Sequence, residues 1–260
     1  MNPRIRTLLE NLQELKPTKN ELYIVHTSLW LAAPVKADLP KLFNNLIKIL
    51  GKNSTLCFPS FTFKNNEKIK PVWYRVNTRG ETGILNEYVR KELDTTRTIH
   101  PTHSFAIFGK YSKDFANKTG ETAFGTDSTL KSLVDSGAKN ISFGSGFIGG
   151  HSFLHVAEEL QQVLYRSYTD IETPCILEDG SVYEGKFRYF GRNKCSNGKY
   201  HENDWVSAWS DFQERQLIDF IDSKFGMVAL SDCNKVLNYM KQKIETNSYS
   251  YAGECEHKQN

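Results

Sequence analysis

Long apolar runs are absent from this 260-residue chain. A membrane-crossing helix needs about 20 such residues in succession, so neither a span nor a membrane partner is expected. The opening stretch, MNPRIRTLLENLQELK, alternates charge with Leu and Ile at helical spacing. It lacks the apolar core of a secretory signal, and the expected location is the cytoplasm. Cysteine is scarce: Cys57, Cys175, Cys195, Cys233 and Cys255 are scattered, odd in number and form no CxxC pair. That pattern argues against a disulfide framework and a zinc knuckle, and predicts free thiols in a reducing compartment. No metal site is expected. A strong charge of either sign is missing too. Lys plus Arg number 33 and Asp plus Glu 30, with no basic stripe, which excludes a nucleic-acid partner. The slight positive excess suits a phosphorylated ligand better than a polycation.

What is present is a globular composition, 39% hydrophobic and 24% charged, with enough chain to bury a full core. Helical periodicity covers residues 4–16, 38–50, 82–92, 128–135 and 151–164, with Asp38 placed to cap the second helix and Gly51 to close it. Short apolar runs predict strands at 21–25, 54–58, 104–108 and 140–143. Residues 60–80 read as irregular. Strands alternating with helices at this spacing predict an α/β layered sheet. The texture changes near residue 173, where TPCILEDGSVYEGKFRYFGR predicts a β-hairpin on the Asp179-Gly180 turn. Helices over 209–225 and 232–245 and a frayed polar tail from Ser248 complete the reading. With no repeat, low-complexity segment or linker, one domain over 1–260 is expected.

Residues 140–160, NISFGSGFIGGHSFLHVAEEL, admit three chemistries. Gly144, Gly146 and Gly149 spell GxGxxG between a predicted strand and helix, with Asp170 downstream, as in a NAD(P)-binding oxidoreductase. Such a loop normally opens the first βαβ unit, whereas this one lies past the chain's midpoint and precedes a hairpin. His151 and His155 stand at i, i+4, as metal ligands on one helix face do. Ser152 occupies the position where a zincin needs Glu, and no third ligand is near. Lastly, His155 can pair with Glu158 at i+3 or Glu159 at i+4. A carboxylate so placed fixes the imidazole's tautomer, raises its basicity and stabilises the imidazolium. A surface histidine with an ordinary ion pair is the plainer alternative.

Two further clusters raise the odds of function. RTIHPTHSF (97–105) sets His100 and His103 around a Pro-Thr pair before an apolar strand, although such a turn also serves to cap local backbone. HTSL (26–29) ends the first predicted strand, where open α/β sheets bind ligands. Together with CFPSFTF (57–63), TGILNEYVRK (82–91), FGTDSTLKSLVDSGAK (124–139) and SFLHVAEE (152–159), these segments resemble the antibiotic N-acetyltransferase family in order and spacing, over about residues 20–190. That family is typified by the aminoglycoside 3-N-acetyltransferases. The resemblance implies an α/β fold, a three-layer α/β/α sandwich around a mixed central sheet with a C-terminal β-hairpin and helices. It implies acetyl-CoA or another acyl-CoA as co-substrate, a small-molecule amine acceptor, and a monomer or homodimer. His155 would be the catalytic histidine, and Glu158 the acidic position of a T-x-x-H-x-x-E-like motif. Thr27, Ser28 and Leu29, with His100, His103 and Ser104, would line the pantetheine and thioester channel. Ser152 replaces the motif's usual Thr, Thr27 a usual Ser, and Thr129 a frequent Pro.

Acyl transfer from a thioester to an amine needs a base for the amine proton, donors for the oxyanion, and both substrates in register. His155 suits the first role; backbone N–H groups or the Thr102 and Ser104 hydroxyls suit the second. Cys57, in a predicted buried strand without a neighbouring base, reads as a small hydrophobe. Direct transfer is therefore expected, not a covalent acyl-enzyme. For the acceptor, PVWYRVNTRG (71–80) offers Trp73 and Tyr74 to stack on a nucleobase and Arg75 or Arg79 to pair with phosphate. Glu87 is a further candidate on the acceptor side. The expected acceptor is an amino sugar, nucleotide-linked; the alternative is an aminoglycoside antibiotic.

Overall fold

A computed structural model describes residues 1–29, 37–63, 72–144, 150–253 and 255. Its centre is β1 (Leu22–Thr27), buried along its whole length, as a strand covered on both faces must be. β1 pairs in parallel with β2 (Thr55–Pro59) on one side and β6 (Lys139–Phe143) on the other. Beyond β2 come β5 (Phe105–Gly109) and β4 (Thr96–Arg97), both antiparallel. Beyond β6 come β11 (Val228–Asp232) and β10 (Ile218–Ile221), also antiparallel. The result is a mixed seven-stranded sheet of order β10-β11-β6-β1-β2-β5-β4.

Alternation along the strands divides the core in two. Tyr23, Val25, Leu56 and Phe58 meet α1 (Pro3–Glu14), α2 (Leu39–Leu50) and α3 (Ile84–Glu92) on one face. Leu22, Ile24, Cys57 and Ile107 meet α4 (Thr129–Asp135), α5 (Leu154–Leu160) and α7 (Cys233–Thr246) on the other, joined by α6 (Trp205–Glu214). This is the expected three-layer α/β/α architecture. Ser128 caps α4 by accepting from the Lys131 N–H. Asp38 makes no such bond to α2. Its Oδ2 instead accepts from the Asn2 N–H at 2.7 Å, fastening the starts of the first two helices together. Gly51 ends α2 at φ 101°, and a Cβ there would lie 2.5 Å from Asn20 Oδ1.

Departures from the sequence reading lie mostly after residue 160. α5 stops at Leu160, and Gln162 has a left-handed φ of 47°. The chain then forms β7 (Arg166–Ile171), which pairs antiparallel with β9 (Phe187–Arg192). The Asp179-Gly180 turn closes only a minimal hairpin, with an Ile176–Val182 bridge. β8 (Cys175–Ile176) runs parallel to β3 (Trp73–Tyr74), inside the stretch read as irregular. The helix expected over 209–225 ends at Glu214, broken by Gln216 at φ 52°. The tail is docked rather than frayed through residue 253. Tyr251 is buried, its carbonyl accepts from the Asp204 N–H at 2.8 Å, and its hydroxyl donates to Asp211 Oδ2 at 2.9 Å. That docking joins Cys195 to Cys255 in a disulfide across 60 residues, so the expectation of five free thiols is corrected. Cys57, Cys175 and Cys233 are free and buried. Among the described residues no helix is long and apolar enough to cross a membrane.

Candidate active site

The parallel pair β1 and β6 ends on one edge of the sheet, and the chain leaving β1 carries Thr27 and Ser28 into a cleft of about 390 Å³. His26, Thr27, Ser28, Phe61, Ser152, His155 and Trp205 line it. This is the carboxyl-end location that α/β sheets reserve for ligands. A recess of 540 Å³ between α1 and α2 is larger, but helix-surface side chains line it and it holds no histidine. Thr27 donates to Asn86 Oδ1 at 2.9 Å, and Asn86 in turn donates to the Pro59 carbonyl at 2.8 Å. His26 bridges two elements: Nδ1 meets Asn140 Oδ1 at 3.0 Å and Nε2 meets Ser152 Oγ at 2.9 Å. Asn140 spends its amide on the Gly150 carbonyl, so His26 carries its proton on Nδ1 and accepts from Ser152. Burial, with His151 nearby, pushes its pKa down to about 3 and keeps the ring neutral.

His155 and Glu158 sit one turn apart on α5, and the imidazole Nδ1 bonds Glu158 Oε2. Glu158 has no exposed surface, a position a charged carboxylate keeps only when fully partnered. Its other partners are the Tyr165 hydroxyl at 2.7 Å, Asn203 Nδ2 at 2.5 Å and Arg166 Nη2 at 3.0 Å. Burial alone would raise its pKa; His155, Arg166 and Tyr165 outweigh burial and hold it at about 2. Against a charged Glu158, His155 places its proton on Nδ1, which leaves Nε2 as the basic nitrogen. Burial lowers the pKa of His155, with Arg166 and Arg192 acting the same way and Glu158 opposing them. The ring is a quarter exposed, flanked by Phe124 at 5.0 Å and Trp205 at 5.6 Å. Glu159 turns away, to Thr122 and Tyr168, so the carboxylate partner is Glu158.

His155 and Trp205 also line a second cleft of about 360 Å³, with Arg166, Tyr189, Arg192, Glu202 and Asn203. The imidazole thus stands where two recesses meet. The structure brings Thr27, Ser28, His155 and Glu158 into one site and leaves other candidates out of it. Leu29 packs in the core under α1 and α2. His100 is buried, and its Nδ1 accepts from the Thr102 and His103 N–H groups at 3.2 and 3.0 Å. His103 packs against Phe61, Phe124 and Tyr189. Thr102 and Ser104 have no exposed surface, and Ser104 donates to the Ser60 carbonyl at 2.9 Å, so neither hydroxyl reaches a bound carbonyl. Trp73 is wholly buried and is covered by the Arg97 guanidinium, which removes it as a stacking platform. Arg75 is committed to the Arg97 and Ala116 carbonyls and to Glu178, which removes it as a phosphate ligand. Tyr74 and Arg79 are exposed but line neither cleft at His155. Glu87 holds the Gly80 N–H and Arg90. Gly146 and Gly149 of the GxGxxG stretch lie outside the described residues.

Tyr165, Arg166, Asn203 and Trp205 escaped the sequence reading. They reach His155 and Glu158 from the start of β7 and the residue before it, and from the start of α6 and the segment before it, which no local spacing connects to α5. Their one signal is composition: an Arg and a Tyr side by side directly after the predicted helix.

Comparison with known proteins bears on this arrangement. The family model described as aminoglycoside 3-N-acetyltransferase matches residues 24–245. A Bacillus subtilis (strain 168) protein, the SPbeta prophage-derived aminoglycoside N(3')-acetyltransferase-like protein YokD, is 24% identical over 205 residues, 70% of this chain and 74% of that one. Similar solved structures include AAC-IIIb as a binary complex with CoASH, at TM-score 0.75 and 16% identity, covering 93% of this chain and 96% of that one. Another is sisomicin-bound AAC-VIa, at TM-score 0.76 and 17% identity, covering 93% and 97%. These structural likenesses establish the shared fold.

Proposed function

The chain belongs to the aminoglycoside 3-N-acetyltransferase family, and on that premise we propose that His155 is the general base of an acetyl transfer to an amine. It is an N-acyltransferase and acetyl-CoA is its co-substrate. One observation carries the assignment of the base: a quarter-exposed imidazole stands at the junction of two clefts, bonded to a carboxylate with no exposed surface.

In this reading the thioester enters along Thr27 and Ser28, and the amine approaches from the cleft of Glu202 and Asn203. His155 Nε2 takes a proton from the amine nitrogen as that nitrogen attacks the thioester carbonyl carbon. Glu158 stabilises the imidazolium that forms and holds the ring in its tautomer. Arg166, Tyr165 and Asn203 keep Glu158 charged and oriented. The Ser28 hydroxyl, at the cleft wall, takes the oxyanion role first given to Thr102 and Ser104. The carbon–sulfur bond then breaks, and the sulfur leaves with the proton from His155 as coenzyme A thiol.

For the acceptor, the family and the relatives' names favour an aminoglycoside amine over the nucleotide-linked amino sugar expected from the sequence. The residues that the sequence offers to hold a nucleotide, Trp73 and Arg75, are buried and committed elsewhere. In the second cleft Arg166 is already paired with Glu158, which leaves Arg192 against the Glu202 carboxylate and no surplus of either sign among the lining residues. Thiol release from acetyl-CoA, measured with kanamycin- and gentamicin-type aminoglycosides and separately with amino-sugar nucleotides, separates the two. Turnover of the antibiotics alone supports the aminoglycoside reading; turnover of the nucleotides alone reverses it.

A further inference from the structure

Away from the acyl-transfer site, Cys195, His201 and Cys255 are each half-buried, and one ligand atom from each lies within 4.8 Å of the other two. We propose that, when reduced, these three side chains bind one divalent ion of the zinc class, which staples the C-terminal tail to the loop leading into Asn203. Two thiolates and an imidazole are a donor set that zinc prefers and that magnesium or calcium does not. Donors sharing a tetrahedral zinc stand roughly 3.5–3.8 Å apart, given bonds of about 2.3 Å to sulfur and about 2.0 Å to nitrogen. His201 Nε2 and Nδ1 lie 2.9 and 3.3 Å from Cys255 Sγ, and the two cysteine Cα atoms lie 5.6 Å apart. Small side-chain rotations reach the tetrahedral separation. The His201 ring packs against Tyr165 and Tyr249 at 5.9 and 6.1 Å between centroids, which holds the imidazole with its nitrogens toward Cys255 Sγ.

The backbone assembles the donors by itself. In a tight turn, the Cys195 N–H donates to the Lys199 carbonyl at 2.7 Å and the Gly198 N–H to the Cys195 carbonyl at 2.9 Å, with Gly198 at φ 81°. The His201 N–H bonds the Asn193 carbonyl at 3.0 Å. On the tail side, the Gly253 N–H meets the Glu202 carbonyl at 2.6 Å, and Asn203 forms a bridge with Ala252. Two residues after His201, Asn203 donates to Glu158. The staple therefore borders the carboxylate that supports His155, although ion binding itself does not depend on the acyl-transfer reading. A fourth position remains for water or another side chain; the sequence places His257 two residues beyond Cys255, outside the described residues, and the assignment does not use it.

The disulfide and the metal form exclude each other. Two external thiols reduce Cys195–Cys255 to two cysteine thiols and leave as one external disulfide; ion binding then releases both thiol protons. Acetyl transfer leaves coenzyme A as a free thiol, so a reductant of this class accompanies turnover.

The test is a titration of the full chain, reduced with a phosphine and freed of it, with cobalt(II) and then zinc(II). The expected result is one cobalt per chain with thiolate-to-cobalt charge-transfer absorption, displaced by one equivalent of zinc. Cys195→Ser and Cys255→Ser each diminish that absorption and weaken binding at least about tenfold, in line with what even outer-shell changes cost metal sites. His201→Ala keeps both thiols and the disulfide, so it tests the imidazole even where a cysteine variant fails to fold; its cobalt affinity falls by a similar factor. Reduced wild-type chain that takes up no stoichiometric cobalt or zinc and merely reoxidises overturns the proposal. So does His201→Ala binding cobalt as tightly as wild type.

Discussion

A carboxylate with no exposed surface is expensive unless its charge is matched on every side. Glu158 meets that condition with His155, Tyr165, Arg166 and Asn203, and the arrangement makes its effect on His155 measurable. Burial drives the imidazole pKa down and Glu158 holds it up. The acid limb of the kcat/KM profile against pH is therefore expected to inflect below 6.5, the ordinary histidine value. In Glu158→Gln the supporting charge is gone, so the inflection moves further down and kcat falls by about tenfold or more. An upward shift in that variant contradicts the pairing. His155 and Glu158 were legible in sequence because i, i+3 spacing on a helix is a local property. Arg166 and Asn203 were not, because β-pairing and tail docking bring them in from 11 and 45 residues away. The buried turn around His100 and His103 is less plain: the Thr102 hydroxyl meets both Nδ1 atoms and the Thr102 and His103 N–H groups meet His100 Nδ1, while His100 Nε2 is left without a partner among the described residues.

Elements differ in how plainly their sequences announce them. β1, β2, β5 and β6 are short apolar runs closed by polar or glycine signals, and the structure places them within a few residues of expectation. The sequence pattern predicts helix or loop where β10 and β11 stand. The stretch IDFI buries only Ile218 fully, as an exposed edge strand can, and the amphipathic helix before it masks the change of period. β3 and β8 are two residues each and exist only because each supplies the other's partner. The buried Arg97 fork holds this second layer to the sheet. It donates to Ser104 Oγ at 2.9 Å, to the Ser60 and Arg75 carbonyls at 3.0 and 3.3 Å, and to the Thr78 carbonyl. A lysine lacks the planar fork and leaves buried acceptors without donors. Arg97→Lys is thus expected to destabilise the fold by at least about 2 kcal/mol, read from urea unfolding. A change under about 0.5 kcal/mol, the range of an ordinary surface substitution, contradicts the role given to the fork.

At the scale of the whole molecule, the fold stores several neutral imidazoles. Burial lowers the pKa of His26 and His100 to about 3 each, and that of His103 well below its usual value. In the unfolded chain these groups bind protons near pH 6.5. Below that pH the unfolded state holds more protons than the native one, so stability is fully present above pH 6.5 and is lost as pH falls toward 3. Each such histidine contributes a slope of up to about 1.4 kcal/mol per pH unit in that window. The depressed pKa of Glu158 adds a loss only below about pH 4, where the unfolded carboxyl protonates. Urea midpoints measured from pH 8 to pH 4 are expected to hold steady to about 6.5 and then decline. A flat profile to pH 4 contradicts neutral burial of these rings. The layered architecture itself followed from alternation of strand and helix; the disulfide and the docked tail did not, because a 60-residue separation leaves no local trace.

The central claim is that the His155 imidazole, steadied by Glu158, removes the amine proton during acetyl transfer. Turnover of His155→Ala, followed as thiol release with the preferred amine alongside coenzyme A affinity, tests it most directly. A positioned base is typically worth about 10²–10⁴-fold, so kcat is expected to fall at least a hundredfold on that scale while coenzyme A binds nearly as before. A drop of less than about tenfold, below what a positioned base contributes, contradicts the claim.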